Sequence, residues 1–322
     1  MSTRPDAAPV FSRAFITRAG AVGSQLAAAL RGGIEVLVID PDARVGVAFA
    51  ARCVPHAAAI GSGSGTLRSS DIAILATSAA RAGAIAAVLP SDMPIVCVSN
   101  GLDLGIDPHR PGGLSFGVVE FAASSPATIH ARCTRPGWLT LDRSAAPATW
   151  LAAAINRARQ RTRLVPDLIA HRCSKLMLNA SLDPVATVIG GTLGDVFRGR
   201  ESFAAFRALL AEAVVVSNAS GWSLVAVQGM SHARMRRVFG TPVLITNAPT
   251  IAGIQAKAVQ STLAREIARG DLGEADQFSG AIVRQGAAVG VATPAHTRVL
   301  GVLGRLVRAG GGRRALARQL IR

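Results

Sequence analysis

The segment AFITRAGAVGSQLAAALRGGIEVLVID, residues 14–40, decides the fold of this chain. Its apolar run at 14–16 is followed by a glycine turn, an alanine-rich helical stretch and a second apolar run that ends at Asp40. A strand, a glycine turn, a helix and a second strand within about 30 residues form a βαβ unit. The segment therefore predicts two parallel strands joined by a crossover helix.

The glycine turn Gly20-Ala21-Val22-Gly23 predicts a dinucleotide site. Gly20 would let the backbone approach a pyrophosphate, and Gly23 would let the helix pack closely on the strand. The helix N-terminus offers free N–H groups to the phosphates, and Asp40 could hold the ribose hydroxyls. Arg18 stands where the first glycine of G-x-G-x-x-G belongs, so the motif is incomplete. The alternative is a βαβ unit that keeps small residues only for packing.

Length and composition predict a cytoplasmic protein. A chain of 322 residues is long enough for one large or two ordinary domains with sizeable cores. The mean hydropathy is +0.37, but the longest uncharged run, residues 213–233, carries too many polar side chains for a membrane-spanning helix. The first 13 residues contain no continuous apolar stretch, so we expect no secretory signal.

The net charge of +16 comes almost entirely from arginine. The arginines are dispersed and lack interleaved aromatic residues, which disfavours nucleic-acid binding. Only Lys175 and Lys257 are lysines among the 35 basic residues. Burial can make a lysine ammonium a useful acid, whereas a guanidinium keeps its proton. The four cysteines and six histidines are scattered singly, so we expect no metal site.

The rest of the chain predicts an α/β fold in two parts. Up to Val165, strands alternate with helices, which is typical of a Rossmann-type doubly wound parallel sheet, and the β-rich stretch 114–141 predicts a small antiparallel extension. From Pro166 onward only helical periodicity remains. We therefore predict a dinucleotide-binding domain at 1–165 and an all-helical domain at 166–322. The helical segments are predicted at 167–182, 203–219, 231–239, 251–269, 274–289 and 293–309.

The first of these helices carries a polar row. Lys175 and Asn179 are four residues apart and share a face, and Asp183 continues the row. Pro184 predicts a kink or a new helix start at that point. A buried polar row needs partners; the alternative is a solvated stripe.

A second polar cluster consists of Thr262, Glu266, Glu274 and Asp276. Glu274 near a helix start is favoured by the helix dipole, so an exposed carboxylate without chemistry is the alternative for it.

In the order and spacing of its motifs, the chain resembles the ketopantoate reductase (2-dehydropantoate 2-reductase) family over nearly its whole length. The resemblance implies an N-terminal Rossmann domain and a helical C-terminal domain. The matching pieces are Gly20-Ala-Val-Gly23, Ser99-Asn100-Gly101-Leu102, Asp167, Ser174-Lys175-Leu176, Asn179, Gly273-Glu274-Ala-Asp276, Ser279-Gly-Ala-Ile-Val and Gly290-Val-Ala-Thr-Pro294.

The resemblance also implies roles for individual residues. Lys175 would be the general acid that protonates the ketone oxygen as the nicotinamide delivers hydride. Glu274 would hold this lysine and a substrate hydroxyl, and Asn100 would lie beside the nicotinamide and the substrate. The substrate would contact Asn179, Asp183 and Thr262. The cofactor would contact Arg18, Gly20, Ala21, Val22, Gly23, Asp40, Ser78 and Asn100.

Four positions depart from the family pattern. Besides Arg18, Ser78 replaces a common lysine, Pro41 replaces an arginine that often holds the 2′-phosphate of NADPH, and Asp183 replaces an asparagine. Because Asp40 would repel a 2′-phosphate, we expect NADH to serve at least as well as NADPH, unless Arg18 or Arg44 binds the phosphate. Asp183 favours an altered substrate, for example one with an amine or an extra hydroxyl.

The sequence thus predicts reduction of a 2-keto acid, 2-dehydropantoate first among them, with NADP(H) or NAD(H). The alternatives are a related oxidoreductase on another 2-oxo or imino acid, and a dinucleotide-binding protein without turnover. We expect no membrane partner, and the sequence leaves a homodimer open.

Overall fold

The computed structural model describes residues 11–17, 20–31, 33–39, 52–54, 67, 70–124, 132–156, 160–227 and 261–308. The described chain divides into two compact units. The sheet unit comprises the described residues up to Ser99 together with Leu104–Leu168, and the helical unit comprises Asn100–Asp103 and the described residues from Ile169 onward. Arg18, Asp40 and the predicted helix 231–239 lie outside the described residues, as does the stretch 251–260 of the next predicted helix.

The sheet unit is built on an eight-stranded sheet. The strands of this unit are β1 Arg13–Thr17, β2 Glu35–Ile39, β3 Arg52–Val54, β4 Asp71–Leu75, β5 Ile95–Cys97, β6 Leu114–Val119, β7 Ala122–Ser124, β8 Arg132–Arg135, β9 Leu139–Asp142 and β10 Thr162–Val165. Its helices are α1 Ala21–Leu30, α2 Ala79–Val88 and α3 Ala146–Asn156. The strand order in the large sheet is β10-β9-β6-β5-β4-β1-β2-β3. All neighbouring strands of this sheet are parallel except β6 and β9.

Alternate residues of the parallel strands pack on opposite faces of the sheet. One face buries Ile16 and Ile74 against Leu26 of α1 and Leu151 of α3, and the other face carries a second cluster on α2. Side chains alternate in this way along any strand, so apolar residues on both sides require helices on both sides. The predicted doubly wound sheet is confirmed.

The stretch 114–141 differs from the small antiparallel extension that the sequence predicted. Its first strand, β6, is parallel to β5 and belongs to the main sheet. Only β9 adds to it in the antiparallel sense, and β7 and β8 pair with each other in a separate two-stranded sheet. Local strand patterns identify the strands but not their partners, which lie far apart in sequence.

The described part of the helical unit packs around one apolar core, which includes Met177, Phe206, Leu209, Phe278 and Val302. By length and composition the helix Arg200–Ala219 could cross a membrane, but here it buries Phe206 and Leu209 in this core. The helices are α4 Leu168–Ile189, α5 Arg200–Ala219, α6 Thr262–Ile267, α7 Gly273–Ala275, α8 Ala281–Ala288 and α9 Pro294–Arg308, with a short 3-10 turn at Asp195–Phe197.

Helix α4 continues through Pro184 to Ile189, so the predicted new helix start is wrong, and the kink stays a prediction. Proline has no N–H, and the carbonyl of Ala180, one turn earlier, loses its usual partner. The Ser279 hydroxyl donates a long hydrogen bond of 3.5 Å to that carbonyl. The hydroxyl of Ser279, 99 residues further along the chain, thus gives the Ala180 carbonyl a partner that the local sequence around Pro184 does not predict.

The predicted helix 274–289 is interrupted by a wider π-helical turn at Asp276–Gly280 between α7 and α8. Such turns occur mostly as single bulges within helices and frequently at functional sites. The turn directly follows the short helix that carries Glu274.

Candidate functional site

The polar row of α4 has very different exposure along its length. Lys175 and Asn179 are half-buried, whereas Asp183 is only 8% exposed. Successive members are four residues apart, which in a helix corresponds to about 6 Å of rise. The Asp183 end therefore contradicts a fully solvated stripe and requires a local partner for its carboxyl.

Ser261 provides that partner. Its hydroxyl, itself buried, donates a 2.6 Å hydrogen bond to Asp183 Oδ1. Burial nevertheless dominates and raises the pKa of Asp183 from its ordinary 3.8 to about 7, although the Ser261 bond lowers it. The nearby Glu274 carboxyl adds to the rise, while the Lys175 ammonium opposes it. Asp183 thus changes charge close to neutral pH.

Glu274 is the second buried carboxyl of the cluster, with 7% exposure, so the alternative of an exposed helix-start carboxylate is wrong. The Thr262 hydroxyl donates to Glu274 Oε2 at 2.7 Å, and the Asn100 amide donates to Oε1 at 3.4 Å. Glu274 donates its backbone N–H to Glu266 Oε2 at 3.0 Å. These bonds hold the carboxyl from both sides.

Burial raises the pKa of Glu274, and hydrogen bonds from Thr262 and Asn100 oppose the rise, followed by the positive charges of Lys175 and Arg265. The Lys175 ammonium therefore acts on both buried carboxyls. An ammonium beside two carboxyls with raised pKa values is a set of groups able to hold and transfer a proton.

In the sheet unit, Gly20 is the residue that precedes helix α1. A Cβ at Gly20 would meet no atom within 4 Å, and its φ of −63° is open to any residue. The N-terminus of α1 lacks a side-chain cap, and so does that of α2 at Ser78. Both helix ends therefore offer N–H groups to a ligand.

Three buried hydroxyls lie at the carboxyl ends of neighbouring strands. Thr17 ends β1, Thr77 follows β4 and Ser99 follows β5. None of their oxygen atoms has a hydrogen-bond partner within the described part of the chain. The strand order reverses between β1 and β4, which is where open parallel sheets bind ligands. Unpartnered donors and free helix ends at this edge fit a phosphate-bearing nucleotide.

The predicted site residues fall into two groups. The helical unit brings together Lys175, Asp183, Thr262, Glu274 and Asn100, with Asn179 on the same face of α4 as Lys175. The sheet unit holds Gly20, Ala21, Val22, Gly23 and Ser78. Arg18 and Asp40 are not among the described residues.

The sequence placed Glu266 in the second polar cluster, and Glu266 indeed accepts from the backbone N–H of Glu274. Sequence reasoning missed Ser261 and the three strand-end hydroxyls. A signal for the hydroxyls was available, because Thr17, Thr77 and Ser99 each end or closely follow a predicted strand. No local signal pointed to Ser261, whose partner Asp183 lies 78 residues away. Over the described ranges no three metal-ligating side chains come together.

Comparisons with known proteins concern the family of the helical part and the fold of the chain. Residues 167–307 match the family model described as the C-terminal domain of ketopantoate reductase PanE/ApbA. No curated protein matches the chain in sequence.

Solved structures share the fold over nearly the whole chain at low sequence identity. A PanE/ApbA family ketopantoate reductase from Ralstonia eutropha JMP134 has a TM-score of 0.74 and 20% identity, covering 92% of this chain and 99% of its own. The 2-dehydropantoate 2-reductase from Methylococcus capsulatus has a TM-score of 0.67 and 21% identity, covering 92% and 97%. A D-mandelate dehydrogenase, solved with NADH and anilino(oxo)acetate, has a TM-score of 0.68 and 19% identity, covering 94% and 99%.

Proposed function

We propose that this chain, whose residues 167–307 match the C-terminal family model of ketopantoate reductase, is a member of that family and reduces a 2-keto acid with NADH or NADPH. The observation that carries the proposal is the cluster around Glu274. Its carboxyl is buried, hydrogen-bonded by Thr262 and Asn100 and electrostatically coupled to Lys175. Oxidoreductases on 2-keto acids need such a proton donor beside the reacting carbonyl.

The reduced nicotinamide, when bound, supplies the hydride that attacks the carbonyl carbon. Lys175 donates a proton to the ketone oxygen as negative charge develops on it, which lowers the barrier because the alkoxide is never left unprotonated. Glu274 keeps the ammonium in place through its charge. The resulting neutral amine is reprotonated from solvent before the next turnover.

The hydrogen bonds at Glu274 suggest how the substrate is oriented. Thr262 and Asn100 both donate to its carboxyl, so the three side chains are mutually fixed. The side-chain amide of Asn179, one helical turn from Lys175, makes no hydrogen bond to the described residues and can turn toward the substrate. Polar groups that are already fixed around a reacting carbonyl lower the entropic cost of orienting the substrate in the transition state.

Asp183 favours a second candidate, a related oxidoreductase that acts on a 2-oxo or imino acid other than 2-dehydropantoate. This buried carboxyl has a single hydrogen bond, from Ser261, among the described residues. It would suit a substrate whose tail carries a hydroxyl or an amine. The D-mandelate dehydrogenase of the same fold acts, by its name, on a different 2-hydroxy acid.

Gly20 and the strand-end hydroxyls support the sheet unit as the cofactor site, because they leave room and donors for a pyrophosphate. The choice between NADH and NADPH depends on Asp40 and Arg18, and we propose that NADH serves at least as well. A homodimer and a cytoplasmic location stay predictions from sequence.

The proposal is tested by steady-state oxidation of NADH and NADPH with a panel of 2-keto acids, including 2-dehydropantoate and phenyl-substituted analogues. We expect turnover with at least one acid. Tight cofactor binding without turnover of any acid would instead indicate a dinucleotide-binding protein, and a strong preference for NADPH would refute the role given to Asp40.

Lys175→Ala and Lys175→Arg form a matched pair for the proton donor. Arginine retains the positive charge but cannot release its proton. We expect both variants to lower kcat by roughly 10²–10⁴, the usual worth of a positioned acid, with cofactor affinity unchanged. Activity of Lys175→Arg close to that of the wild type would show that only the charge matters.

A further inference from the structure

The loop that carries Asn100 is part of the helical unit, although it directly follows a strand of the sheet. The chain enters the helical unit at Asn100, leaves it after Asp103, and enters it again at Ile169. Within these four residues, Leu102 packs against the helical core. Gly101 has a φ of +101°, a conformation that strongly favours glycine.

Arg172 binds this loop through its backbone. Arg172 Nη2 donates to the carbonyl oxygens of Gly101 at 2.9 Å and of Leu102 at 2.7 Å. Both bonds are charge-assisted and partly buried, which makes them stronger than bonds between neutral groups. The guanidinium thus fixes the two peptide groups that follow Asn100.

Arg172 also lies three residues before Lys175 on α4, so one helix holds both the proton donor and the anchor of the loop. The Asn100 amide reaches Glu274 only at 3.4 Å, which is close to the limit of a hydrogen bond. A small shift of the loop would break this contact. We propose that Arg172 is a positioning residue that holds Asn100 against Glu274 through the carbonyls of Gly101 and Leu102.

This inference rests on the proposed function, because Asn100 is expected to act beside the substrate. Loss of Arg172 should displace Asn100 and thereby impair the reaction more than the binding of cofactor. Misplacement of a catalytic group by about 1 Å can cost roughly 100-fold in rate. Among the described residues, Arg172 makes no side-chain hydrogen bond to Glu274 or to Asn100, so its effect should pass through the loop.

A double-mutant cycle of Arg172→Met with Asn100→Ala tests the proposal in the full chain. We expect each single variant to lower kcat by roughly 10- to 100-fold, and Arg172→Met to change KM for the reduced nicotinamide no more than Asn100→Ala does. The double variant should have the kcat of Asn100→Ala within about twofold, since positioning an absent side chain has no effect. Losses that multiply in the double variant would overturn the proposal.

The pH–rate profile provides a second readout. The Asn100 amide lowers the pKa of Glu274, so its displacement should raise that pKa. The groups that act on Glu274 are Thr262, Asn100, Lys175 and Arg265. Arg172→Met and Asn100→Ala should therefore both shift the limb of the profile that reports the pKa of Glu274 to higher pH. A loss of structure alone would lower activity at every pH and leave the pH of that limb unchanged.

Arg110 offers a matched control, because it donates in the same way to the carbonyls of Ala86 and Pro90 within the sheet unit. Arg110→Met should act independently of Asn100→Ala in the same cycle.

If Arg172→Met does not fold, Arg172→Lys replaces it, and the same double-mutant cycle with Asn100→Ala tests the coupling. If the wild type reduces no keto acid, the proposed function fails, whereas the coupling of Arg172 to Asn100 is still measured from urea unfolding midpoints. Additive midpoints would then refute the anchoring.

Discussion

Replacement of Asp183 by asparagine should make the protein more stable at high pH and leave it unchanged in acid. The carboxyl is buried and has only Ser261 as a hydrogen-bond donor among the described residues. Asparagine keeps an oxygen that can accept from the Ser261 hydroxyl. It removes the negative charge that burial disfavours.

The magnitude follows from the two pKa values of Asp183, 3.8 as its ordinary value and about 7 in the folded chain. Between these values the folded state binds the proton and the unfolded state does not, so stability falls as pH rises. Three pH units at about 1.4 kcal/mol each give an upper bound of about 4 kcal/mol. Relaxation of the folded chain and water penetration lower the cost of a buried charge, so we expect about 2–4 kcal/mol.

The assay is urea unfolding of the wild type and Asp183→Asn from pH 4 to pH 8. The two proteins should be equally stable near pH 4. As the pH rises to about 8 the wild type should lose stability relative to the variant, so the difference between them should grow. Asp276→Asn is the control, because Asp276 is exposed and paired with the exposed Arg284, an ion pair of little worth. A difference between wild type and Asp183→Asn that stays constant from pH 4 to pH 8 would refute the reasoning.

Two further predictions concern other residues. His296 is buried with Nε2 3.0 Å from the Leu209 carbonyl, and burial lowers its pKa from 6.5 to about 4, so the folded state excludes the proton. The free energy of unfolding should therefore fall by up to about 3 kcal/mol as pH drops from 6.5 to 4. Measured by urea unfolding, His296→Gln should lose less stability over this pH range than the wild type, and an equal loss in both proteins would contradict the prediction. Gly20→Ala should leave the unfolding midpoint unchanged, because its Cβ meets open space, but should weaken binding of reduced nicotinamides by about tenfold or more if phosphate approaches there. Gly83→Ala is the contrasting control, since its Cβ would lie 2.7 Å from the Leu104 carbonyl oxygen and should destabilise the fold; unchanged cofactor affinity of Gly20→Ala would refute the phosphate site.

Most of the fold could be predicted because its signals are local. The run from Ala14 to Ile16, the glycines at 20 and 23 and the apolar strand from Asp71 specify strands and helices whose partners are forced by the βαβ connection. The failures occurred where distant residues decide. Pro184 was expected to kink α4 or to start a new helix, but α4 runs on to Ile189, and Ser279 supplies a hydrogen bond to the carbonyl that proline leaves unpaired.

The sequence predicted which residues belong to the site but not how they are arranged in space. Lys175, Asn179 and Asp183 could be placed on one face from their spacing alone. Their burial could not, because it depends on α6 and α7, nearly 100 residues further along the chain. Arg172 gave no sequence signal, since its partners are backbone carbonyls and any residue can provide those.

The sequence by itself determined the order of strands and helices, the division into a sheet and a helical part, and the polar row on α4, because all three depend on spacing between near neighbours. Only the tertiary structure decided that Asp183 and Glu274 are buried beside Lys175, and that Asn100 joins the helical unit through Arg172. The physical reason is that the protonation of a carboxyl depends on the water and charges around it, and these come from residues far apart in the chain.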